Sequence, residues 1–228
     1  MRRSELFPLE RGQRQGGLHA LREGIAHVRE SRLLLAILAM GAVMGLFGFS
    51  AMRTLISVLA AQTLHGGART FGLLFAAYGA GAVAGALVGA ARVRTGRRLL
   101  VGGALLFSAP ILALAPVRLT ALAAALLFLV GAGWATWSSQ ALAQVQLAAP
   151  DRLRGRVISL YTYTIIASAP LGGLFGGWLA DVGGTELAFA VSGSAGLTAA
   201  IAGALILSGR RVPARSVADA PLPDEALG

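Results

Sequence analysis

Trp137, Gln140 and Gln144 recur at three- and four-residue spacing within an apolar stretch. On a helix that spacing puts them on one face. Tyr161, Thr164 and Ser168 make a second stripe of the same kind. Amides and hydroxyls on an apolar helix can hydrogen-bond a neighbouring helix, or a small, partly apolar molecule held in a cavity. Tyr78 adds a phenol in another apolar stretch, and Arg53 a guanidinium at the end of the first. Arg53 has two readings. It is an interfacial side chain reaching water, or a cavity-facing charge that attracts an anionic substrate.

Groups for covalent chemistry are scarce. No carboxylate lies deep in an apolar stretch, so a proton relay has no seat there. There is no phosphate-cradling glycine loop, no Ser-His-Asp set and no carboxylate pair, and cysteine is absent. The chain therefore reads as no enzyme, and no cofactor is implied. His19, Glu23 and His27 stand at i, i+4 and i+8. That spacing could bind a metal, but a solvated helix face is the favoured reading, and no metal site is assigned.

The elements that must position these residues are membrane spans. Charged residues make up 13% of the chain, about half the roughly 25% of a soluble domain. Mean hydropathy is +0.70, too apolar for a chain covered by water. Six stretches are long enough to cross a bilayer, near 33–52, 71–91, 99–115, 119–140, 157–180 and 187–208. Backbone groups in lipid must bond internally, and the stretches lack period-two alternation, so an all-α membrane protein with six transmembrane helices is predicted. The first, second, fourth and fifth spans carry the polar stripes and read as cavity liners; the third and sixth read as lipid-facing. Residues 1–32 form a cytoplasmic segment in which Leu18, Leu21, Ile25 and Val28 mark an amphipathic helix, 33–208 the membrane domain, and 209–228 a disordered cytoplasmic tail.

A net charge of +10 would suggest nucleic acid in a soluble protein. Here the arginines cluster in short turns between apolar stretches, without interleaved aromatics, and nucleic acid is set aside as a partner. With both termini cytoplasmic, only Arg53, Arg69 and Arg118 of the 20 arginines fall on the outer side. That bias fixes a multi-pass orientation in the cell (inner or plasma) membrane. The turns hold Arg92, Arg97 and Arg98, and then Asp151, Arg152, Arg154 and Arg156.

Helices in lipid associate through small residues. Gly81, Gly85 and Gly89 make one ladder, and Gly172 and Gly176, just after Pro170, another. Pro170 removes a backbone donor, so a kink is expected near it. Ordinary packing accounts for both ladders; a sliding contact in a transporter is the functional alternative.

The stretch QLAAPDRLRGRVISLY, Gln146–Tyr161, continued by APLGGLFGGWLAD, closely resembles the tenth-to-eleventh helix region of major facilitator superfamily transporters, in the branch of enterobactin-exporter-like permeases. FGLLFAAYGAGAVAGAL, Phe71–Leu87, resembles the eighth helix of that branch, and RVRTGRR, Arg92–Arg98, is similar to the short basic loop motif, with Ala91 where the motif has Asp. The resemblance implies one half of a major facilitator fold: two inverted three-helix repeats, the C-terminal six-helix half only, with the bilayer and a small-molecule substrate as partners. It implies alternating-access transport, with efflux the expected direction. It also implies a second six-helix half, lost by truncation or gene splitting, supplied by a separate chain, or provided by a second copy. The basic turns would then form a cytoplasmic gate with that half, or bind lipid headgroups. The competing reading is a non-transporting membrane interaction subunit or a truncated remnant.

Overall fold

The computed structural model describes residues 17–91 and 96–208. Arg92, residues 1–16 of the N-terminal segment and the tail 209–228 lie outside the described residues, as does the side chain of His19. Among the described residues the secondary structure is helical and no strand occurs. Four helices among the described residues are long and apolar enough to cross a membrane: Arg32–Thr63, Ala68–Ala90, Thr120–Ala148 and Arg154–Ser208.

In helix α1 (Gly17–Glu30), Gly24 and Val28 are buried and Ile25 is half-buried; the side chains of Leu18 and Leu21 lie outside the described residues. Ser31 then adopts extended dihedrals, and its hydroxyl accepts a hydrogen bond from the Leu34 amide at 3.4 Å, capping α2 (Arg32–Thr63). The expectation that the first span ends at 52 is corrected. The helix passes through Arg53 and continues to Thr63, with two wide π-helical stretches at Met44–Ser50 and Leu59–Thr63. It can do so because the Arg53 side chain is exposed into a cleft and is not sealed against apolar neighbours.

Helices α3 (Ala68–Ala91), α4 (Arg97–Ala113) and α5 (Thr120–Ala148) follow. Helix α4 has 17 residues, about 25 Å of rise, just under the length of a typical span. Segment Arg154–Ser208 breaks where Gly183 and Gly184 leave helical geometry, Gly184 with φ 70°. A residue with a Cβ is strained at that φ. The break divides the segment into α6 (residues 154–182) and α7 (residues 185–208). Helical geometry runs on through Pro170.

Glycines decide how close the helices come. A Cβ on Gly81 would overlap the Phe128 carbonyl, and one on Gly85 the Ala132 carbonyl. In return, a Cβ on Gly131 would overlap the Tyr78 carbonyl, so α3 and α5 notch into each other. Gly133 and Gly103 do the same between α5 and α4, where a Cβ on Gly103 would stand 2.7 Å from the Trp137 amide nitrogen. Gly193 and Gly196 bring α7 against Leu112 and Ser108 of α4. Gly89 meets Ser139 more loosely, its Cβ position 3.3 Å from the hydroxyl. On α6, Gly172 and Gly176 are buried.

Candidate substrate cleft

Two clefts open beside α3. The larger, about 460 Å³, is walled by Ala86 of α3, by Trp134, Ala135, Ser138, Ser139 and Leu142 of α5, and by Tyr161, Thr162, Ile165 and Ile166 of α6. The smaller, about 270 Å³, is walled by Met52, Arg53 and Ile56 of α2 and by Phe75 and Tyr78 of α3. Phe75, Tyr78 and Ala86 share one face of α3, so the two clefts open along the same side of that helix.

The larger cleft is apolar, with hydroxyls set into its wall. Ser138 donates to the Ala135 carbonyl at 3.3 Å, Ser139 to the Thr136 carbonyl at 3.0 Å, and Tyr161 to the Ser138 carbonyl at 3.4 Å. With their protons engaged, these oxygens keep lone pairs as acceptors. A run of rings backs the cleft. Phe107 and Trp134 have centroids 5.4 Å apart, Trp134 and Trp137 5.4 Å, and Trp137 and Tyr161 6.4 Å. Such a wall suits a flat apolar molecule that carries donor groups.

The predicted cavity residues are distributed unevenly. Arg53 and Tyr78 meet in the smaller cleft. Trp137 is fully buried between helices, close to Gly41 and Gly103, and its indole nitrogen has no partner among the described residues. Gln140, also buried, accepts a hydrogen bond from the Gly96 amide at 3.4 Å and so holds the start of α4. Gln144 is buried as well. Thr164 and Ser168 donate to carbonyls of their own helix, Leu160 at 2.8 Å and Ile165 at 2.6 Å, and Ser168 abuts Gly45 of α2. The polar stripe of α5 that reaches a cleft is the neighbouring one, Trp134, Ser138 and Leu142 with Ser139. Its i, i+4, i+8 spacing was a visible signal, outranked by the more polar Gln140 and Gln144.

The predicted basic turns meet structural partners. Arg154 pairs with Asp151 at 2.7 Å and donates to the Gln146 carbonyl at 3.1 Å, closing the turn between α5 and α6. Arg156 pairs with Glu23 of α1, which takes Glu23 into a helix contact. Arg97 donates to the Leu207 carbonyl at 2.8 Å, capping the end of α7. Arg98 and Arg152 are exposed. At the other end of the bundle, Arg118 pairs with Glu186, and the hydroxyls of Thr63 and Thr185 lie 2.6 Å apart. Among the described residues, no three His, Asp or Glu side chains converge on one point.

A family profile described as transmembrane secretion effector, of the major facilitator type, matches residues 9–224. Comparisons with curated proteins and with solved structures found no match.

Proposed function

Since the chain belongs to the transmembrane secretion effector family of major facilitator-type membrane transporters, we propose that it exports a small molecule by alternating access, as the C-terminal six-helix half of such a transporter. In this reading α2 to α7 each cross the bilayer. The short α4 lies at the lower limit of span length, and the chain crosses once on each side of Gly183–Gly184. Helices α2–α4 and α5–α7 are the two inverted repeats. The observation that carries the reading is the cleft of Trp134, Ser138, Ser139 and Tyr161, which opens on the side of α3 that also holds the Arg53–Tyr78 cleft. A second six-helix half would cover that side and complete the pathway, whether it comes from another chain or a second copy.

The arginine-rich turns are on the cytoplasmic side of the cell membrane, with both termini. There Arg98, Arg152, Arg154 and Arg156 face the partner half and gate the inner opening together with Asp151, while Arg97 holds the end of α7 beside them. The Arg154–Asp151 and Arg156–Glu23 pairs belong to one state of that gate and exchange for carboxylates of the partner half in the other.

The test uses the native host. Cells lacking the gene should retain more N-phenyl-1-naphthylamine than cells in which it is restored, and Ser138→Trp, which fills the larger cleft, should behave like the deletion while inserting normally. Equal retention in all three strains, of this probe and of 1-anilinonaphthalene-8-sulfonate alike, would overturn export and favour a membrane subunit that binds a partner without transporting.

A further inference from the structure

Arg53 is a charge set deep in an apolar helix. Helix α2 runs ten residues past it to Thr63, whose hydroxyl meets Thr185 at the end of the bundle marked by the Arg118–Glu186 pair. Ten helical residues span roughly 15 Å, so Arg53 leaves its helix well below that polar end. Tyr78 stands at a matching depth, ten residues in from Ala68 at the start of α3. A guanidinium at this depth is costly unless it faces a partner or a cavity. Among the described residues no carboxylate pairs with it, and its side chain opens into a cleft whose other walls are Met52, Ile56, Phe75 and Tyr78.

A small hydrated anion would meet Arg53 there but leave the Met52, Ile56 and Phe75 walls unused. Those walls suit an anion attached to an apolar body. Along α3, Tyr78 and Ala86 are separated by eight residues, roughly 12 Å, which is the reach of a molecule of linked aromatic rings. The larger cleft at Ala86 offers rings and hydroxyls and, among its lining residues, no charge.

We propose that the two clefts together bind an amphipathic aromatic anion, its acidic group on Arg53 and its rings against Trp134 and Tyr161. The proposal rests on the reading of these clefts as the substrate path and names the substrate class. Guanidinium–acid hydrogen bonding supplies affinity and the aromatic wall supplies fit.

The experiment compares two probes with one ring system, on the full chain in lipid nanodiscs, with protein-free nanodiscs as background. 1-Anilinonaphthalene-8-sulfonate carries the acid and N-phenyl-1-naphthylamine lacks it. Wild type should favour the sulfonate by about tenfold, the scale of one charge-assisted contact. Arg53→Gln should bring the ratio of the two affinities close to one, Arg53→Lys should keep part of the preference, and Trp134→Ala should weaken both probes together. Equal affinities in wild type, or a preference that survives Arg53→Gln, would overturn the anion assignment and leave the cleft reading standing. Binding of neither probe above the nanodisc background would overturn the cleft reading, and this assignment with it.

Discussion

Arg156 of α6 forms an ion pair with Glu23 of α1, joining residues 133 positions apart in the chain. Gly24, beside Glu23, lies at this contact, where a Cβ would make an ordinary van der Waals contact. Its Cβ position would be 3.7 Å from the Arg156 Cβ. Both side chains are about two-thirds or more covered, so solvent screens the pair less than an open surface bridge. The amphipathic helix is thus held on the bundle at the end of α6 that carries the Asp151–Arg154 turn.

Breaking that pair should loosen α1. Arg156→Gln is expected to weaken its docking by about 1 kcal/mol, the upper scale of a partly exposed pair. Limited trypsin digestion should then cut at Arg29 several-fold faster. The charge swap Glu23→Arg with Arg156→Glu should recover protection. Digestion unchanged in Arg156→Gln would show that Val28 and its neighbours hold the helix alone.

The notched contact between α3 and α5 makes a paired prediction. Gly81→Val drives a side chain into the Phe128 carbonyl and should cost roughly 1–3 kcal/mol in detergent-induced unfolding. Gly79, two residues away, has nothing within 4 Å of its Cβ position, and Gly79→Ala should change stability by less than about 0.5 kcal/mol. Equal effects would mean that glycine content, not this contact, sets stability.

The two tryptophans of α5 should separate stability from binding. Trp137 is fully buried, and Trp137→Ala should cost about 3–5 kcal/mol through the cavity it leaves. Trp134 lines the larger cleft, so Trp134→Ala should cost less and weaken naphthylamine binding more. Thermal unfolding and probe titration of both variants decide it. A more severe binding loss in a well-folded Trp137→Ala protein would move the site to the buried stripe.

Orientation is open to direct labelling because the chain has no cysteine. Single Arg154→Cys and Glu186→Cys variants should react with a membrane-impermeant maleimide from opposite faces, Glu186→Cys in intact cells and Arg154→Cys only after the inner face is exposed. Labelling of both from the same side would undo the proposed crossings.

Several features were readable from residue order alone because lipid imposes them locally. Every peptide group inside a bilayer must bond within its own segment, so apolar runs of span length had to be helices, and the run at Ala68–Ala91 needed no tertiary information. The Gly81–Gly85 spacing announced a close helix contact for the same reason: in lipid, small residues are where backbones meet. Placing arginine in the turns needed only the composition of the segments on either side. The position of the cleft was a different matter. Trp134, Ser138 and Leu142 lie about a third of a turn from Trp137, Gln140 and Gln144 on the same helix, and both stripes mix aromatic and polar groups. In water, polarity would separate the inner from the outer face. In a bilayer both faces border apolar matter, so residue types along α5 could not say which side met α2 and α4 and which stayed open. That choice fell to the packing of Gly103 on Trp137 and of Gly131 on Tyr78, which turns Trp137 inward and leaves Trp134 on the cleft. Packing likewise carried α2 past Arg53, because only a neighbouring helix with Phe75 and Tyr78 at the right height makes a cleft for that charge.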